Sequence, residues 1–171
     1  MKRRKFLAAA GLAATGATLA RPAIAQTAPE IRWRIASSFS SNLEYIWAGA
    51  ETLAESLRQQ SDGRFTLELH PAGALMGALD VFEGVREGRA ECAQTALTYF
   101  WGKEPALVFA TGAPFGMNAR EQNAFFRLGG GNALVDDVLA EHGFMALPMG
   151  NTGCQMGGWF RKDVKIGRAH V

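Results

Sequence analysis

Residues 31–69 read IRWRIASSFSSNLEYIWAGAETLAESLRQQSDGRFTLEL, and the spacing of their apolar side chains changes twice within this stretch. Apolar and polar residues alternate over Ile31–Ala36 and again over Phe65–Leu69, which is typical of half-buried strands. Between these segments, apolar residues recur three and four positions apart over residues 43–60, which predicts an amphipathic helix. Asn42 stands where the N-cap of that helix is expected. The stretch therefore predicts a β–α–β unit.

The chain that follows continues the alternation of strands and helices. We expect further helices at about 78–88, 120–128 and 132–142, and further strands at 91–96, 107–111 and 144–149. This order predicts a parallel α/β sheet with helices on both faces. Ligands bind such sheets beyond the carboxyl ends of the strands. That rule selects three candidate binding loops, at residues 37–42, 98–103 and 150–159.

The first 25 residues differ from the rest of the chain. A basic segment, Met1–Lys5, precedes an apolar run at Phe6–Ala20, and Ala23-Ile24-Ala25 offers small residues for cleavage. The pattern predicts a signal peptide that is cleaved after Ala25, so we expect the mature protein in the periplasm. The pair Arg3-Arg4 resembles the twin-arginine export signal. An ordinary secretory leader is the alternative.

The net charge of the chain is concentrated in this leader. The whole chain carries 18 basic and 16 acidic residues, and five of the basic residues precede residue 26. The remaining 13 basic residues face 16 acidic ones, which leaves the body with a net charge of −3. A mildly acidic body lacks the basic surface that binds nucleic acid. We therefore expect no nucleic-acid partner.

The sequence contains no familiar catalytic signature. It has no nucleophile elbow, no His-Glu-x-x-His, no Cys-x-x-Cys and no phosphate-binding loop. His70 and His142 end a strand and a helix, where structural roles are the favoured interpretation. Cys92 and Cys154 allow a disulfide in an oxidising compartment, although two buried free thiols are favoured. We expect a protein that is not an enzyme, with an exported periplasmic enzyme as the alternative.

The segment Gly150–Phe160 is the richest candidate for a ligand site. Its glycines allow the backbone to approach a ligand closely or to bend between domains. Amide side chains between aromatic walls suit a small polar metabolite, and a serine loop before a helix N-terminus suits an anion. The alternative is that the aromatic residues are core and the serines belong to an ordinary loop. The predicted substrate-binding residues are Gln155, Asn151, Tyr99, Trp159 and Ser38.

Several segments carry a resemblance to a known family. The most specific are Gly150-Asn151-Thr152-Gly153 and the residues that follow it at 155–162; Tyr99–Lys103 and Ala113–Gly116 are weaker. Together they resemble the solute-binding subunits of TRAP (tripartite ATP-independent periplasmic) transporters, particularly the subgroup that binds 2-oxo acids such as pyruvate. The resemblance extends from the leader to about Val164.

This resemblance implies a fold and a function. It implies a periplasmic binding protein-like (type II-like) α/β architecture, in which two lobes close over the ligand about hinge strands. Residues 26–149 would form lobe 1, and residues 150–164 would form the hinge strand and the start of lobe 2. The protein would capture a small carboxylate, such as a 2-oxo acid, for the transporter's membrane subunits. A receptor of an ATP-driven transporter is an alternative with the same architecture.

The resemblance also implies contacts at the site. Gln155 would contact the ligand and, where one is bound, a monovalent or divalent cation; no other cofactor is expected. Asn151 and Tyr99 would add polar contacts. The full-length receptor is also a candidate for homodimer formation.

The end of the chain departs from the family. Residues 165–171 match the translation of a common sequencing-adapter oligonucleotide followed by a stop, so we expect a non-native tail. The family's arginine, which pairs with the substrate carboxylate through two hydrogen bonds, follows Val164, and Arg161 and Arg168 are out of register with it. We therefore expect a chain truncated after the first lobe that binds an organic acid weakly or not at all.

Overall fold

The computed structural model describes residues 29–153 and Arg161, and in this part a three-stranded parallel sheet has the order β2-β1-β3. The strands are β1 (Ile31–Ser37), β2 (Phe65–His70) and β3 (Cys92–Gln94). The helices of the same residues are α1 (Glu44–Gln60), α2 (Val81–Arg86), α3 (Ala119–Leu128) and α4 (Gly131–Ala140), with 3-10 helices at Leu97–Phe100 and Pro105–Ala110. The predicted α/β fold class and the predicted β–α–β unit are confirmed.

Strand β1 lies at the centre of the sheet. Its residues Ile31 to Ala36 pair with Phe65 to His70 of β2, and Ile35 to Ser37 pair with Cys92 to Gln94 of β3. Both neighbours are present only at the carboxyl half of β1, where Ile35, Ala36 and Ser37 are buried. This burial places the end of β1, and the loop that follows it, in the interior of the fold.

The core is organised around the ring of Phe82 in α2. Its centroid lies 4.6 Å from that of Phe144, 5.1 Å from that of Phe100 and 5.6 Å from that of His142. Edge-to-face and tilted contacts of this kind are favourable beyond the area that they bury. Leu107 of the second 3-10 helix belongs to the same cluster. One apolar cluster therefore joins α2 to both 3-10 helices and to the chain after α4.

Two segments that were predicted as strands are not strands. Most of residues 107–111 lie in the 3-10 helix Pro105–Ala110, which begins at a proline whose fixed φ suits a first helical turn. Residues 144–149 form no ladder within the described part of the chain. There, alternate residues such as Phe144 and Ala146 pack against the core. One-sided burial of an extended segment produces the same alternation as a strand, so the pattern was misleading.

The predicted N-cap of α1 is also wrong. Leu43 occupies the N-cap position and makes no side-chain cap, and the backbone N–H of Asn42 donates to the hydroxyl of Ser40 instead. Helix α2 is shorter than predicted, since it runs only from Val81 to Arg86. None of the helices among residues 29–153 has the length and apolar character to cross a membrane.

Arg34 of β1 and Glu91, just before β3, form a bidentate ion pair across the sheet. The guanidinium Nε and Nη2 donate to the two carboxylate oxygens at 3.1 and 2.8 Å, and the backbone N–H of Arg34 donates at 2.7 Å. The side-chain hydrogen bonds from Arg34, followed by the backbone one, hold the pKa of Glu91 at about 2. The pair thus ties β1 to β3 at neutral pH.

Replacing Arg34 should raise the pKa of Glu91. In Arg34→Met we expect the pKa to move toward the ordinary value of about 4.3, with part of the depression kept by the backbone N–H. Because the folded-state pKa lies below the unfolded one, the pair stabilises the fold fully above about pH 5 and loses this effect as the pH falls toward 2. Carboxyl ¹³C NMR titration measures the change. Arg32→Met is the control, since Arg32 pairs with Glu30; an unchanged Glu91 pKa in Arg34→Met would contradict the assignment.

Candidate ligand-binding site

The carboxyl end of β1 is closed by hydrogen bonds within the protein. The hydroxyl of Ser37, a residue only 2% exposed, donates to Oε1 of Gln94 at 2.9 Å and accepts from the backbone N–H of Phe39 at 3.0 Å. A hydroxyl has one proton and two lone pairs. Ser37 therefore uses its proton to connect β1 to β3, and it builds this edge of the sheet.

Ser38, a predicted ligand contact, lies at the expected carboxyl edge. Its Oγ is 2.7 Å from the carbonyl oxygen of Ala78 and 2.7 Å from Oγ1 of Thr95. A carbonyl only accepts, so Ser38 donates to Ala78 and Thr95 donates to Ser38. The side chain is buried and joins three segments of the chain. Its role as a ligand contact stays a prediction, with one lone pair left for that purpose.

Gln94 is a residue of this edge that the sequence reasoning missed. Its side chain is buried at the end of β3, and Nε2 donates to the carbonyl of Ile46 in α1 at 2.8 Å. The same nitrogen lies 3.5 Å from Sδ of Met149. With the bond from Ser37, this amide connects β1, β3, α1 and the segment that leads to Gly150. A polar side chain inside a short buried strand was the available signal.

Asn151, another predicted ligand contact, lies against helix α3. Its Nδ2 donates to Oε1 of Gln122 at 2.8 Å, and its Oδ1 accepts from the backbone N–H of Gly153 at 2.7 Å. Asn151 is exposed, whereas Gln122 is buried. These two bonds leave one amide N–H and one oxygen lone pair of Asn151 for a ligand. Gln122 was also missed, since its position in α3 carries no local sign of a distant partner.

Tyr99 lies in the 3-10 helix Leu97–Phe100, where the sequence predicted a short connection. Its ring is tilted against that of Phe39, with the centroids 6.1 Å apart, and it remains partly exposed. Phe39 directly follows the buried serines of the edge. The aromatic pair therefore stands beside the carboxyl end of β1, where it can form an apolar wall. Contact of Tyr99 with a ligand stays a prediction.

Gln155, Trp159 and Cys154 lie outside the described residues, and their predicted roles stay predictions. Cys92 is a free and partly buried thiol. Burial, and to a smaller extent the charge of Glu91, raises its pKa to about 11. Such a thiol is protonated at neutral pH and is a poor nucleophile or metal ligand. Its burial and raised pKa therefore favour a structural role for Cys92.

A cation was predicted as a companion of the ligand. Calcium takes about six to eight oxygen ligands. Within residues 29–153, no group of three or more His, Cys, Asp or Glu residues is placed to hold a metal ion. The oxygen atoms of Ser37, Ser38 and Asn151 already take part in hydrogen bonds within the protein. A cation at this edge would therefore need ligands other than such a group.

Comparison with known proteins places the chain in a bacterial protein family. Residues 36–165 match the profile described as bacterial extracellular solute-binding protein, family 7. A curated relative, the monocarboxylate 2-oxoacid-binding periplasmic protein of Nostoc sp. (strain PCC 7120), is 40% identical over 173 residues. That match covers 96% of this chain and 47% of the relative. The chain therefore spans about half the length of the curated relative.

Solved structures show the same fold. A TRAP periplasmic solute-binding protein from Pseudoalteromonas atlantica, with bound sodium and pyruvate, is 37% identical with a TM-score of 0.76; the match covers 79% of this chain and 41% of that one. A TRAP solute-binding protein from Bordetella bronchiseptica, a dimer with calcium and picolinate, is 36% identical with a TM-score of 0.76, over 79% and 40% of the two chains. The family profile matches most of this chain's length, and the chain therefore belongs to family 7 of the bacterial extracellular solute-binding proteins.

Proposed function

We propose that this chain is the N-terminal half of a periplasmic receptor that captures a small 2-oxo monocarboxylate, such as pyruvate, for a TRAP transporter. The observation that carries the proposal is the contact of Met149 with Gln94 at the carboxyl edge, two residues before Asn151, whose amide lies against helix α3. The name of the Nostoc relative and the pyruvate-bound structure support the ligand class.

The proposed mechanism is binding without chemistry. A carboxylate accepts hydrogen bonds only, so the groups that would bind it are the amide N–H groups of Asn151 and Gln155 and the hydroxyl of Tyr99. Trp159 would supply an apolar wall, and Ser38 would complete the polar edge. Closure of two lobes would exclude water and strengthen these hydrogen bonds. Gln155 would also contact a sodium or calcium ion that accompanies the ligand.

The carboxylate would find its cationic partner in a second lobe. A buried carboxylate is unfavourable unless a cation pairs with it. In the candidate loop at residues 98–103 the positively charged side chain is that of Lys103. Its ammonium group is already paired with the carboxylate of Glu83. This supports a site shared between lobe 1, at residues 26–149, and a second lobe that begins with the crossing at residues 150–164.

Export and docking complete the proposal. The family is extracellular, which agrees with an exported protein. Residues 1–25 would direct twin-arginine export and be cleaved after Ala25, and the mature receptor would deliver its ligand to the membrane subunits of the transporter. Homodimer formation is proposed for the whole receptor, since the relative from Bordetella bronchiseptica is a dimer. Adjacent genes for a small and a large multispanning membrane protein would favour TRAP transport over ATP-driven transport.

Calorimetric titration with pyruvate, in the presence of sodium or calcium, tests the function. Two proteins are compared. One is the 171-residue chain, and the other is a longer receptor that includes the second lobe, with its sequence obtained by sequencing the genomic locus again. We expect micromolar binding by the longer receptor. We expect the short chain to bind pyruvate at least about 100-fold more weakly, because loss of one partner of a buried charge pair costs roughly 2–5 kcal/mol.

Two results would contradict the proposal in different ways. If the longer receptor binds no 2-oxo acid with either cation, the receptor function is wrong. If the 171-residue chain binds pyruvate with micromolar affinity, the site is not shared with a second lobe. Acetate, which lacks the 2-oxo group, is the matched control ligand and should bind more weakly than pyruvate.

A further inference from the structure

Gln122 is a buried amide in apolar surroundings. The residue is only 8% exposed, although the neighbouring positions of α3 are exposed. It lines a hollow of about 340 Å³ whose other walls include Phe109, Met117 and Phe125, and whose remaining walls are glycine and alanine. None of these neighbours has a polar side chain. The hydrogen bond from Asn151 therefore satisfies the amide oxygen of Gln122, which no side chain of the hollow could do.

A second hydrogen bond, from Gly153, determines which atom of the Asn151 amide faces Gln122. The backbone N–H of Gly153 can only donate, and it meets Oδ1 of Asn151 at 2.7 Å. The amide nitrogen of Asn151 must then face Gln122, which presents its oxygen at 2.8 Å. Gly153 has a φ of +75°, a conformation that glycine adopts without strain. The turn that sets the orientation is therefore supported by the residue type at position 153.

A second buried glutamine holds the same segment two residues earlier. Nε2 of Gln94 lies 3.5 Å from Sδ of Met149 while it donates to the carbonyl of Ile46 at 2.8 Å. Gln94 belongs to β3 and Gln122 to α3, so side chains from two separate elements contact residues 149–151. The segment is thereby attached on both sides of Gly150.

We propose that Gln122 is a positioning residue that orients the amide of Asn151 before the ligand arrives. The inference rests on the proposed function, in which Asn151 contacts the carboxylate. With its nitrogen held by Gln122 and its oxygen held by Gly153, Asn151 presents one remaining N–H in a constant direction. A side chain that is already ordered loses less rotational freedom on binding. Gln122 thus raises affinity without touching the ligand.

Two variants separate positioning from general stability. Gln122→Met keeps the length of the side chain and removes the acceptor. Asn123→Ala changes the exposed next residue of the same helix and is the control. Thermal unfolding of each protein shows whether it is folded.

The first measurement needs no ligand. Side-chain ¹⁵N relaxation and solvent exchange of the Asn151 amide are recorded in the 171-residue chain, with the exposed Asn42 as a reference for a mobile amide. We expect the Asn151 amide to be rigid in the wild type and in Asn123→Ala. In Gln122→Met it should become as mobile as that of Asn42. An Asn151 amide that stays rigid in Gln122→Met would overturn the proposal.

The second measurement is the pyruvate affinity of the longer receptor. We expect Gln122→Met to bind about tenfold more weakly, a size typical of one newly immobilised side chain. Unchanged affinity in a Gln122→Met protein with a mobile Asn151 would overturn the link between orientation and binding. If the wild-type receptor does not bind pyruvate, the receptor function fails, and the amide spectrum alone decides whether Gln122 orients Asn151.

Discussion

Phe82→Ala is expected to lower the free energy of unfolding by about 3–5 kcal/mol, the range for removal of a core phenylalanine. Phe82 is 6% exposed, and three rings surround it: those of Phe144 at 4.6 Å, Phe100 at 5.1 Å and His142 at 5.6 Å. The substitution would leave a cavity where α2, the first 3-10 helix and the chain after α4 meet. Since domains are stable by only about 5–15 kcal/mol, this loss is a large fraction of the total.

Urea unfolding followed by circular dichroism measures the effect. Phe115→Ala is the matched control, because Phe115 is fully exposed, at 103%, and the same substitution there should change the stability by less than about 0.5 kcal/mol. If Phe82→Ala does not fold, Phe82→Leu keeps most of the volume and should cost less than about 1.5 kcal/mol. Equal losses for Phe82→Ala and Phe115→Ala would show that the ring cluster is not the core.

Gln94→Met is expected to lower the free energy of unfolding by about 1–3 kcal/mol, because it leaves a buried hydroxyl without its acceptor. That hydroxyl belongs to Ser37, which donates to Oε1 of Gln94 at 2.9 Å. The substitution also removes the donor to the carbonyl of Ile46 and so loosens α1 from β3. The loss should therefore exceed that of an exposed glutamine.

A double-mutant cycle with Ser37→Ala isolates the pair. Removing both partners should cost less than the sum of the two single changes, with a coupling of about 1 kcal/mol, because the hydroxyl that loses its acceptor in Gln94→Met is absent from the double variant. Gln59→Met on the exposed face of α1 is the control and should stay within about 0.5 kcal/mol of the wild type. Strict additivity of Ser37→Ala and Gln94→Met would contradict the coupling.

Local patterns predicted the elements around β1 well. The predicted helix at 43–60 is found as Glu44–Gln60, and the predicted strand from Phe65 is found as Phe65–His70. Helix Ala119–Leu128 begins one residue before the predicted start at 120, with a capping box formed by Asn118. These elements were predictable because the spacing of apolar residues records which side of each segment is buried. Residues 144–149 were mistaken for a strand, because one-sided burial does not require a ladder partner.

The candidate site was predicted only in part. The rule for parallel sheets selected the loop of Ser38 and the region of Tyr99, and the structure places the serine at the carboxyl edge with the tyrosine ring beside it. The family resemblance, rather than the periodicity, supplied the ligand class and the interest in Asn151. The glutamines that hold this edge were not foreseen.

The β–α–β unit and the family were thus readable from the chain alone, because each depends on patterns among neighbouring residues. The roles of Gln94 and Gln122 depended on packing, because their partners Ser37 and Asn151 are 57 and 29 positions away. A hydrogen bond over such a distance exists only after the sheet and helices have come together. No local pattern records which distant donor will then face which acceptor.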